Sequence, residues 1–271
     1  MKDNKAIIII SDLDGTLLDH NNYRFDAALP ALKFVEDNQL PLILNSSKTA
    51  AEIKLIRKSL KNHYPFVVEN GAGIYLPLKV EKNVEEDAGD YQLIKFGKER
   101  KEILSILTEI KQKLKISYAG FNDMSVAELM SSTGLNEQQA ELAKQRDFTE
   151  PLEWQDDGHK WQLFCQELDA VGLSFAKGGR FISVSSSVDK GQSLNWLKNY
   201  YKEEYNVNPI IIALGDSDND KEMLENADYP VLVKSPVHDF PDIKADNILY
   251  TTEYGPAGWN EGVTKLLNSL L

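Results

Sequence analysis

Short aliphatic runs separated by amphipathic segments are the feature of this 271-residue chain that most restricts its fold. Runs that are apolar at every position are typical of parallel strands buried on both faces, and the segments between them have helical spacing. Their alternation at both ends of the chain predicts an α/β fold with a Rossmann-like, doubly wound parallel sheet. The predicted strands are residues 7–10, 41–44, 66–68, 210–214 and 229–233, and the predicted helices are 27–38, one that begins with the capping box Thr49 to Glu52, 190–201 and 220–226.

The middle of the chain follows a different pattern. Residues 181–185 alternate between apolar and polar, which favours an antiparallel strand with one exposed face. We therefore predict an inserted α+β unit at residues 81–187, within a discontinuous core domain formed by residues 1–80 and 188–271. Around the alternating run lie a polar, acidic stretch at 79–90 and helical patterns at 98–115, 137–146 and 161–173.

The net charge of −12 at pH 7 restricts the partners of this protein. It disfavours nucleic acid or an anionic membrane as the main partner. An anionic substrate would need local compensation by a metal cation and a few lysine or arginine side chains. No apolar stretch has the length of a membrane helix or of a signal-peptide core, so we expect a cytoplasmic protein with a small-molecule substrate.

Carboxylates directly follow two of the predicted strands. The segment 11–16 carries Asp12 and Asp14, and the segment 215–220 carries Asp216 and Asp220. Either cluster alone could be an acidic turn, because aspartate is a common turn residue. Ligand sites of open α/β sheets lie at the carboxyl ends of strands, where the two clusters would meet and repel each other unless a cation is bound. The pair of clusters therefore predicts a site for a hard divalent cation.

Four motifs, in this order, resemble those of the haloacid dehalogenase-like hydrolases. They are Asp12-x-Asp14-Gly-Thr, Ser46 after the second predicted strand, Lys190, and Gly215-Asp216-x-x-Asn219-Asp220. The inserted unit is similar to the type IIB cap of that superfamily. Finer motifs, which extend the likeness over almost the whole chain, resemble the mannosyl-3-phosphoglycerate phosphatase family. These finer motifs lie at residues 45–49, 68–72, 146–151, 178–181 and 255–261.

The resemblance implies a Mg²⁺-dependent phosphatase that hydrolyses a phosphomonoester through an aspartyl-phosphate intermediate. Asp12 would be the nucleophile, and Asp14 the general acid and base. Ser46 and Lys190 complete the implied catalytic set, because both would offset the charge of the transferring phosphoryl group. The implied metal-binding residues are Asp12, Asp14 through its backbone carbonyl, Asp216, and Asp220 at one remove or through a water molecule.

A glycerate carboxylate on the substrate would need a cation of its own in so acidic a protein. Arginine suits this task because its planar guanidinium pairs with two oxygens at once. The substrate-binding residues that we expect are Ser47, Lys48, Glu69, Asn70, Arg146, Lys177 and Arg180.

The finer motifs favour mannosyl-3-phosphoglycerate as the substrate, with the compatible solute mannosylglycerate and phosphate as products. The family has a histidine shortly after Phe181, where this chain continues with Ile182, Ser183 and Val184, so a glucosyl-3-phosphoglycerate or sucrose phosphate phosphatase stays open. A phosphomutase shares the Asp-x-Asp arrangement and would release isomer rather than phosphate. A catalytically inactive Mg²⁺-binding regulatory module is a distant alternative, since every motif position named above is present.

Overall fold

The computed structural model describes residues 5–78, 90–178 and 180–271. Within these ranges the chain forms twelve strands and nine α-helices. The strands are β1 (Lys5–Ser11), β2 (Leu42–Asn45), β3 (Phe66–Val68), β4 (Gly73–Pro77), β5 (Tyr91–Lys95), β6 (Tyr118–Gly120), β7 (Glu150–Trp154), β8 (Leu173–Gly178), β9 (Phe181–Ser186), β10 (Asn208–Gly215), β11 (Tyr229–Lys234) and β12 (Leu249–Tyr254). The helices are α1 (Leu29–Asp37), α2 (Ala50–Leu60), α3 (Arg100–Leu114), α4 (Val126–Thr133), α5 (Glu137–Lys144), α6 (Gly158–Ala170), α7 (Lys190–Tyr205), α8 (Lys221–Glu225) and α9 (Gly255–Leu270).

Eight of the described strands form a large sheet in the order β12-β11-β10-β1-β2-β3-β4-β5. The six strands from β12 to β3 pair in parallel, and β4 and β5 are added as an antiparallel edge. In this register Ser11 lies opposite Leu214 on one side and Leu44 on the other, so three strands end at the same level. The predicted doubly wound parallel sheet is confirmed.

The central strand β1 is apolar throughout because both of its faces are covered. Ile7 and Ile9 belong to one buried cluster, whereas Ile8 and Ile10 belong to the cluster on the opposite face. Side chains alternate between the two faces of a strand, so an unbroken aliphatic run is what a strand in the middle layer requires.

The inserted unit forms a separate antiparallel sheet in the order β6-β7-β9-β8. Apolar residues of α3 and α6, including Phe164, form a buried cluster with this sheet, and a second cluster joins α4 and α5 to it. The predicted insertion of an α+β unit is therefore confirmed. The helix predicted at 161–173 is wrong at its end: α6 stops at Ala170, and Gly172 turns the chain with a φ of 71° into β8.

The chain leaves the large sheet later than the predicted domain boundary at residue 81. Strand β5 pairs with β4 over five residues, so the segment 91–95 extends the large sheet. The chain passes to the smaller sheet only after β5 and returns before α7. The predicted acidic stretch at 79–90 lies outside the residues that the structure describes, except for Asp90.

None of the helices in the described ranges is both long enough and apolar enough to cross a membrane.

Candidate active site

The two acidic segments meet at the carboxyl ends of β1 and β10. Gly15, which follows Asp14, has a φ of 79°, and a Cβ atom at this position would lie 2.5 Å from an oxygen of Asp216. The hydroxyl of Thr16 donates to the other Asp216 oxygen at 3.2 Å. A residue with a side chain would force the two segments apart, so glycine at position 15 is a condition for their convergence.

Three carboxylates and one ammonium form the centre of the site. Asp12, Asp216 and Asp220 are buried, and each offers a carboxylate oxygen within 4.8 Å of the others. Lys190, at the start of α7, is fully buried, and its ammonium lies 2.5 Å from Asp12 and 2.6 Å from Asp220. One ammonium thus faces three buried carboxylates.

Burial dominates the electrostatics of this cluster. It raises the pKa of Asp12 well above its usual value, although Lys190 opposes the shift. Burial, with the charge of Asp220, raises the pKa of Asp216 to about 6. Burial alone would lower the pKa of Lys190, but the charges of Asp12 and Asp220 outweigh it and raise that pKa. One lysine cannot neutralise three carboxylates, so negative charge remains in the cluster. A bound divalent cation would neutralise that charge.

The hydrogen bonds of the carboxylates indicate which of them could bind a cation directly. Asp220 directs one oxygen to Lys190 and the other to the backbone N–H groups of Asp216 and Ser217, at 3.0 and 3.1 Å. One oxygen of Asp12 accepts a hydrogen bond from Lys190. The residues present therefore fit a Mg²⁺ site in which Asp12 and Asp216 bind directly and Asp220 holds the surrounding loop.

The loop from Ser46 to Lys48 follows β2, next to the tip of β1. The Ser46 side chain is buried, and its hydroxyl accepts a hydrogen bond from the Lys48 N–H at 3.3 Å. The three successive carbonyls of this loop are all bound: Asn70 N–H donates to Ser46 at 2.9 Å, Glu69 N–H to Lys48 at 3.0 Å. Arg146 Nη1 reaches the Ser47 carbonyl at 3.4 Å. The loop is thus held by the turn at residues 69–70 and by Arg146 of the inserted unit.

Asp14 lies outside the three-carboxylate cluster. One of its oxygens pairs with the Lys48 ammonium at 2.8 Å, and its other oxygen is buried without a hydrogen-bond partner among the described residues. Lys48 also lies 5.0 Å above the ring of Tyr23. Burial is the largest single effect and lowers the pKa of Lys48, but the charges of Asp14 and Glu52, with the hydrogen bond to Asp14, together outweigh burial and raise that pKa. The predicted acid/base residue and a predicted substrate cation are therefore direct neighbours.

Asn70 and Glu69, both predicted to contact substrate, have different surroundings. Asn70 accepts a hydrogen bond from the Asn219 side chain at 3.2 Å, which places it at the edge of the acidic cluster. Glu69 is fully buried, and hydrogen bonds from Asp147, Phe148 and Thr149 occupy its carboxylate. The geometry therefore gives Glu69 a contact with the inserted unit in place of the predicted contact with substrate.

Lys177 and Arg180 lie on the smaller sheet, and their recorded contacts stay within the inserted unit. The Lys177 ammonium is 5.2 Å from the centre of the Trp161 ring. Arg180 donates to the Ser132 carbonyl at 2.9 Å, and its side chain is 57% exposed. The structure does not bring these two cations to the acidic cluster, and their substrate contact stays a prediction.

Sequence reasoning missed two polar residues beside the cluster. His238 lies after β11, with Nε2 3.5 Å from an oxygen of Asp216. The Asn45 side chain donates to the Lys190 carbonyl at 3.3 Å. Asn45 ends β2, which neighbours β1, and His238 follows β11, which neighbours β10. Because the tips of adjacent parallel strands converge, both residues could have been predicted to lie near the site.

Comparison with known proteins identifies relatives of this chain. The family model described as haloacid dehalogenase-like hydrolase matches residues 9–247. A protein of Methanococcoides burtonii named glucosyl-3-phosphoglycerate/mannosyl-3-phosphoglycerate phosphatase is 35% identical over 264 residues, which cover 96% of this chain and 97% of the relative. A protein of Persephonella marina with the same name is 37% identical over 268 residues, which cover 97% and 98%.

A solved structure extends the comparison to the fold. A haloacid dehalogenase subclass IIB sugar phosphatase superposes with a TM-score of 0.61 at 12% identity, and the match covers 97% of this chain and 98% of that one. At this identity the likeness concerns the fold alone. The match of the family model and the two relatives along nearly the full length show that the chain belongs to the haloacid dehalogenase-like hydrolases.

Proposed function

We propose that this protein is a Mg²⁺-dependent phosphatase that hydrolyses glucosyl- or mannosyl-3-phosphoglycerate to the hexosylglycerate and inorganic phosphate. The observation that carries the proposal is the cluster of Asp12, Asp216 and Asp220 at the tips of β1 and β10, in which the buried Lys190 pairs with Asp12 and Asp220. The substrate class rests on the two relatives, whose shared name includes both sugars.

The chemistry divides into two displacements at phosphorus. In the first, an oxygen of Asp12 attacks, the bond from phosphorus to the glycerate oxygen breaks, and Asp14 gives that oxygen a proton. In the second, Asp14 takes a proton from water, which attacks the aspartyl-phosphate and releases phosphate and Asp12. Ser46 and Lys190 donate hydrogen bonds to the phosphoryl oxygens, and removal of one such donor typically costs about 3 kcal/mol of transition-state stabilisation.

Asp12, Asp216 and the backbone carbonyl of Asp14 would hold Mg²⁺ at this site. When bound, the ion supplies positive charge that offsets the phosphate oxygens and the surrounding carboxylates. Lys48 pairs with Asp14, and Arg146 contacts the Ser47 carbonyl of the same loop, so these are the cations that we assign to the glycerate carboxylate.

A substrate panel tests the proposal. Purified protein is assayed for phosphate release from mannosyl-3-phosphoglycerate, glucosyl-3-phosphoglycerate and sucrose phosphate, with Mg²⁺ and with EDTA. We expect Mg²⁺-dependent release from one or both phosphoglycerates and much slower release from sucrose phosphate. Isomerised substrate without phosphate release would instead indicate a mutase.

Asp12→Asn tests the nucleophile. The variant keeps the size of the side chain but replaces the nucleophilic carboxylate with a neutral amide, so we expect phosphate release to fall by at least about 10³-fold with an unchanged far-UV circular dichroism spectrum. Release at the wild-type rate would rule out Asp12 as the nucleophile and, with it, the aspartyl-phosphate route.

A further inference from the structure

Glu69 is a fully buried carboxylate that joins the large sheet to the inserted unit. It lies in the turn between β3 and β4, and its oxygens accept hydrogen bonds from Asp147 N–H at 2.7 Å, Phe148 N–H at 3.1 Å and the Thr149 hydroxyl at 2.5 Å. A carboxylate only accepts hydrogen bonds, so it satisfies three converging donors, whereas an amide would direct an N–H group at one of them.

The turn that carries Glu69 is held in an unusual backbone conformation. Glu69 and Asn70 have φ values of 50° and 60°, in the left-handed region that non-glycine residues rarely adopt. Gly71 follows with a φ of 96°, and a Cβ atom there would lie 2.1 Å from the carbonyl oxygen of Asp189. The turn therefore packs directly against the start of α7, which carries Lys190. Such backbone strain persists only where the surroundings fix it.

Apolar packing fixes the segment that Glu69 binds. Phe148 is 1% exposed and belongs to the apolar cluster of the large sheet, although it comes from the inserted unit. Gly73 makes room for it, because a Cβ atom there would lie 2.7 Å from the Phe148 ring. The Tyr75 hydroxyl donates to Asp147 at 2.9 Å. The segment 147–149 is thus attached to the large sheet by charge, packing and a side-chain hydrogen bond together.

Arg146 immediately precedes this segment and faces the Ser46–Lys48 loop. Its Nη1 donates to the Thr149 hydroxyl at 2.8 Å and lies 3.9 Å from Glu69. Its side chain is 11% exposed, and its Nε is buried without a hydrogen-bond partner among the described residues. The guanidinium is confined by the Thr149 hydroxyl, the Ser47 carbonyl and the Phe121 ring, and Glu69 acts on it through the Thr149 hydroxyl that both residues bind.

We infer that Glu69 is a positioning residue for substrate specificity: it fixes Arg146 of the inserted unit beside the Ser46–Lys48 loop, where Arg146 binds the carboxylate of the substrate. Glu69 itself touches no substrate. The inference deepens the proposed function and rests on it, because it assumes a substrate with a carboxylate next to the phosphate ester.

Glu69→Gln is the direct test. The amide keeps the shape but turns one donor against the N–H groups of the segment 147–149, so Arg146 loses its fixed position. We expect the KM for the hexosyl-3-phosphoglycerate to rise at least about 10-fold, while kcat falls less than about twofold. With p-nitrophenyl phosphate, which has no carboxylate, we expect a change in KM below about twofold. A residue that merely supports the fold would change both substrates alike.

Glu261→Gln is the control for the exchange of a carboxylate for an amide outside the contact with the inserted unit. The Glu261 carboxylate also accepts two backbone N–H bonds, from Thr252 and Glu253, and one threonine hydroxyl, but it joins α9 to β12. We expect its KM values for both substrates to stay within about twofold of wild type. If Glu261→Gln raised the KM for the phosphoglycerate as much as Glu69→Gln does, the inference would be overturned.

A double-mutant cycle identifies the residue through which Glu69 acts. In an Arg146→Ala background, Glu69→Gln should change the KM for the phosphoglycerate by less than about twofold, because the cation that it positions is already gone. Additive effects of the two substitutions would overturn the inference.

Thr149→Val provides a second test of the inference if Glu69→Gln does not fold. This variant retains the shape of the side chain and removes the hydroxyl that bonds both Glu69 and Arg146. It should reproduce the selective rise in KM, and an unchanged KM would contradict the inference. The proposed function fails separately, if the wild-type protein releases no phosphate from either hexosyl-3-phosphoglycerate.

Discussion

At the scale of single residues, the site concentrates negative charge in a buried place, and this has a cost in the metal-free protein. The Asp216 carboxyl has its pKa raised to about 6, first by burial and then by Asp220. A carboxyl whose pKa is higher in the folded state stabilises the fold at low pH. That contribution is lost as the pH rises from the unfolded value through about 6.

Asp216→Asn is therefore expected to stabilise the metal-free protein while it removes function. At pH 8 in EDTA we expect the free energy of unfolding to rise by about 2 kcal/mol, because a neutral side chain replaces a buried charge. At pH 4 the gain should nearly vanish. Urea unfolding at the two pH values measures both, and Mg²⁺ should no longer stabilise the variant. An equal effect at both pH values would contradict the electrostatic origin.

Single residues also mark the limit of what the sequence predicts about the site. The position of Asp12 and Asp216 directly after two buried strands suffices to predict their convergence, because parallel strand tips lie at one edge. Lys190 lies at the start of a helix, and its place beside them is expected from the family resemblance alone. The contacts of Glu69 could not be predicted, since they join residues that are 78 to 80 positions apart and belong to different sheets. The pairing of Lys48 with Asp14 depends in the same way on the loop conformation rather than on a pattern.

At the scale of elements, the capping box of α2 does more than start a helix. The Thr49 hydroxyl accepts a hydrogen bond from Glu52 N–H at 3.2 Å and also donates to the Leu142 carbonyl at 3.0 Å, at the end of α5 in the inserted unit. Ser125 forms a capping box with Glu128 at the start of α4 on an exposed surface. The Ser125 hydroxyl also donates, but to the Glu128 carboxylate of its own box at 2.7 Å, whereas the Thr49 hydroxyl donates to the inserted unit.

This difference can be measured with two alanine substitutions. Ser125→Ala should lower the free energy of unfolding by about 1 kcal/mol, which is typical of a lost N-cap. Thr49→Ala should cost about 2 kcal/mol, because the bond that Thr49 donates to the inserted unit is partly buried, whereas the bond that Ser125 donates is exposed. Denaturant unfolding of both variants gives the comparison. If the two costs are equal, the contact of Thr49 with Leu142 contributes no more to stability than the exposed bond of Ser125.

The elements that the sequence predicts well are those that obey one local rule. The strands from β1 to β3 and the pair β10 and β11 are aliphatic because both faces are buried, and the Thr49 capping box has its expected geometry. The strands β4, β5 and β12 were not predicted, because they lie at or near the edges of the sheet and carry mixed residues. Their pairing is decided by partners that are not apparent from local sequence.

At the scale of the whole molecule, the inserted unit is attached to the large sheet at more than its two chain connections. Phe148 comes from the inserted unit and packs in the apolar cluster of the large sheet, whereas Phe164 packs within the inserted unit alone. The exposed fractions of the two side chains are 1% and 0%, so they bury similar apolar surface in different places.

Phenylalanine-to-alanine substitutions at these two positions separate the stability of the unit from its placement. Each should lower the free energy of unfolding by about 3–5 kcal/mol, since each leaves a cavity in a packed cluster. Only Phe148→Ala should also raise the KM for the hexosyl-3-phosphoglycerate, because the adjacent Arg146 loses its attachment to the large sheet, whereas Phe164→Ala leaves that attachment in place. Urea unfolding and steady-state kinetics of the two variants, measured at a temperature where both are folded, give the comparison. Equal rises in KM for both variants would show that substrate binding follows the stability of the inserted unit rather than its placement by Phe148.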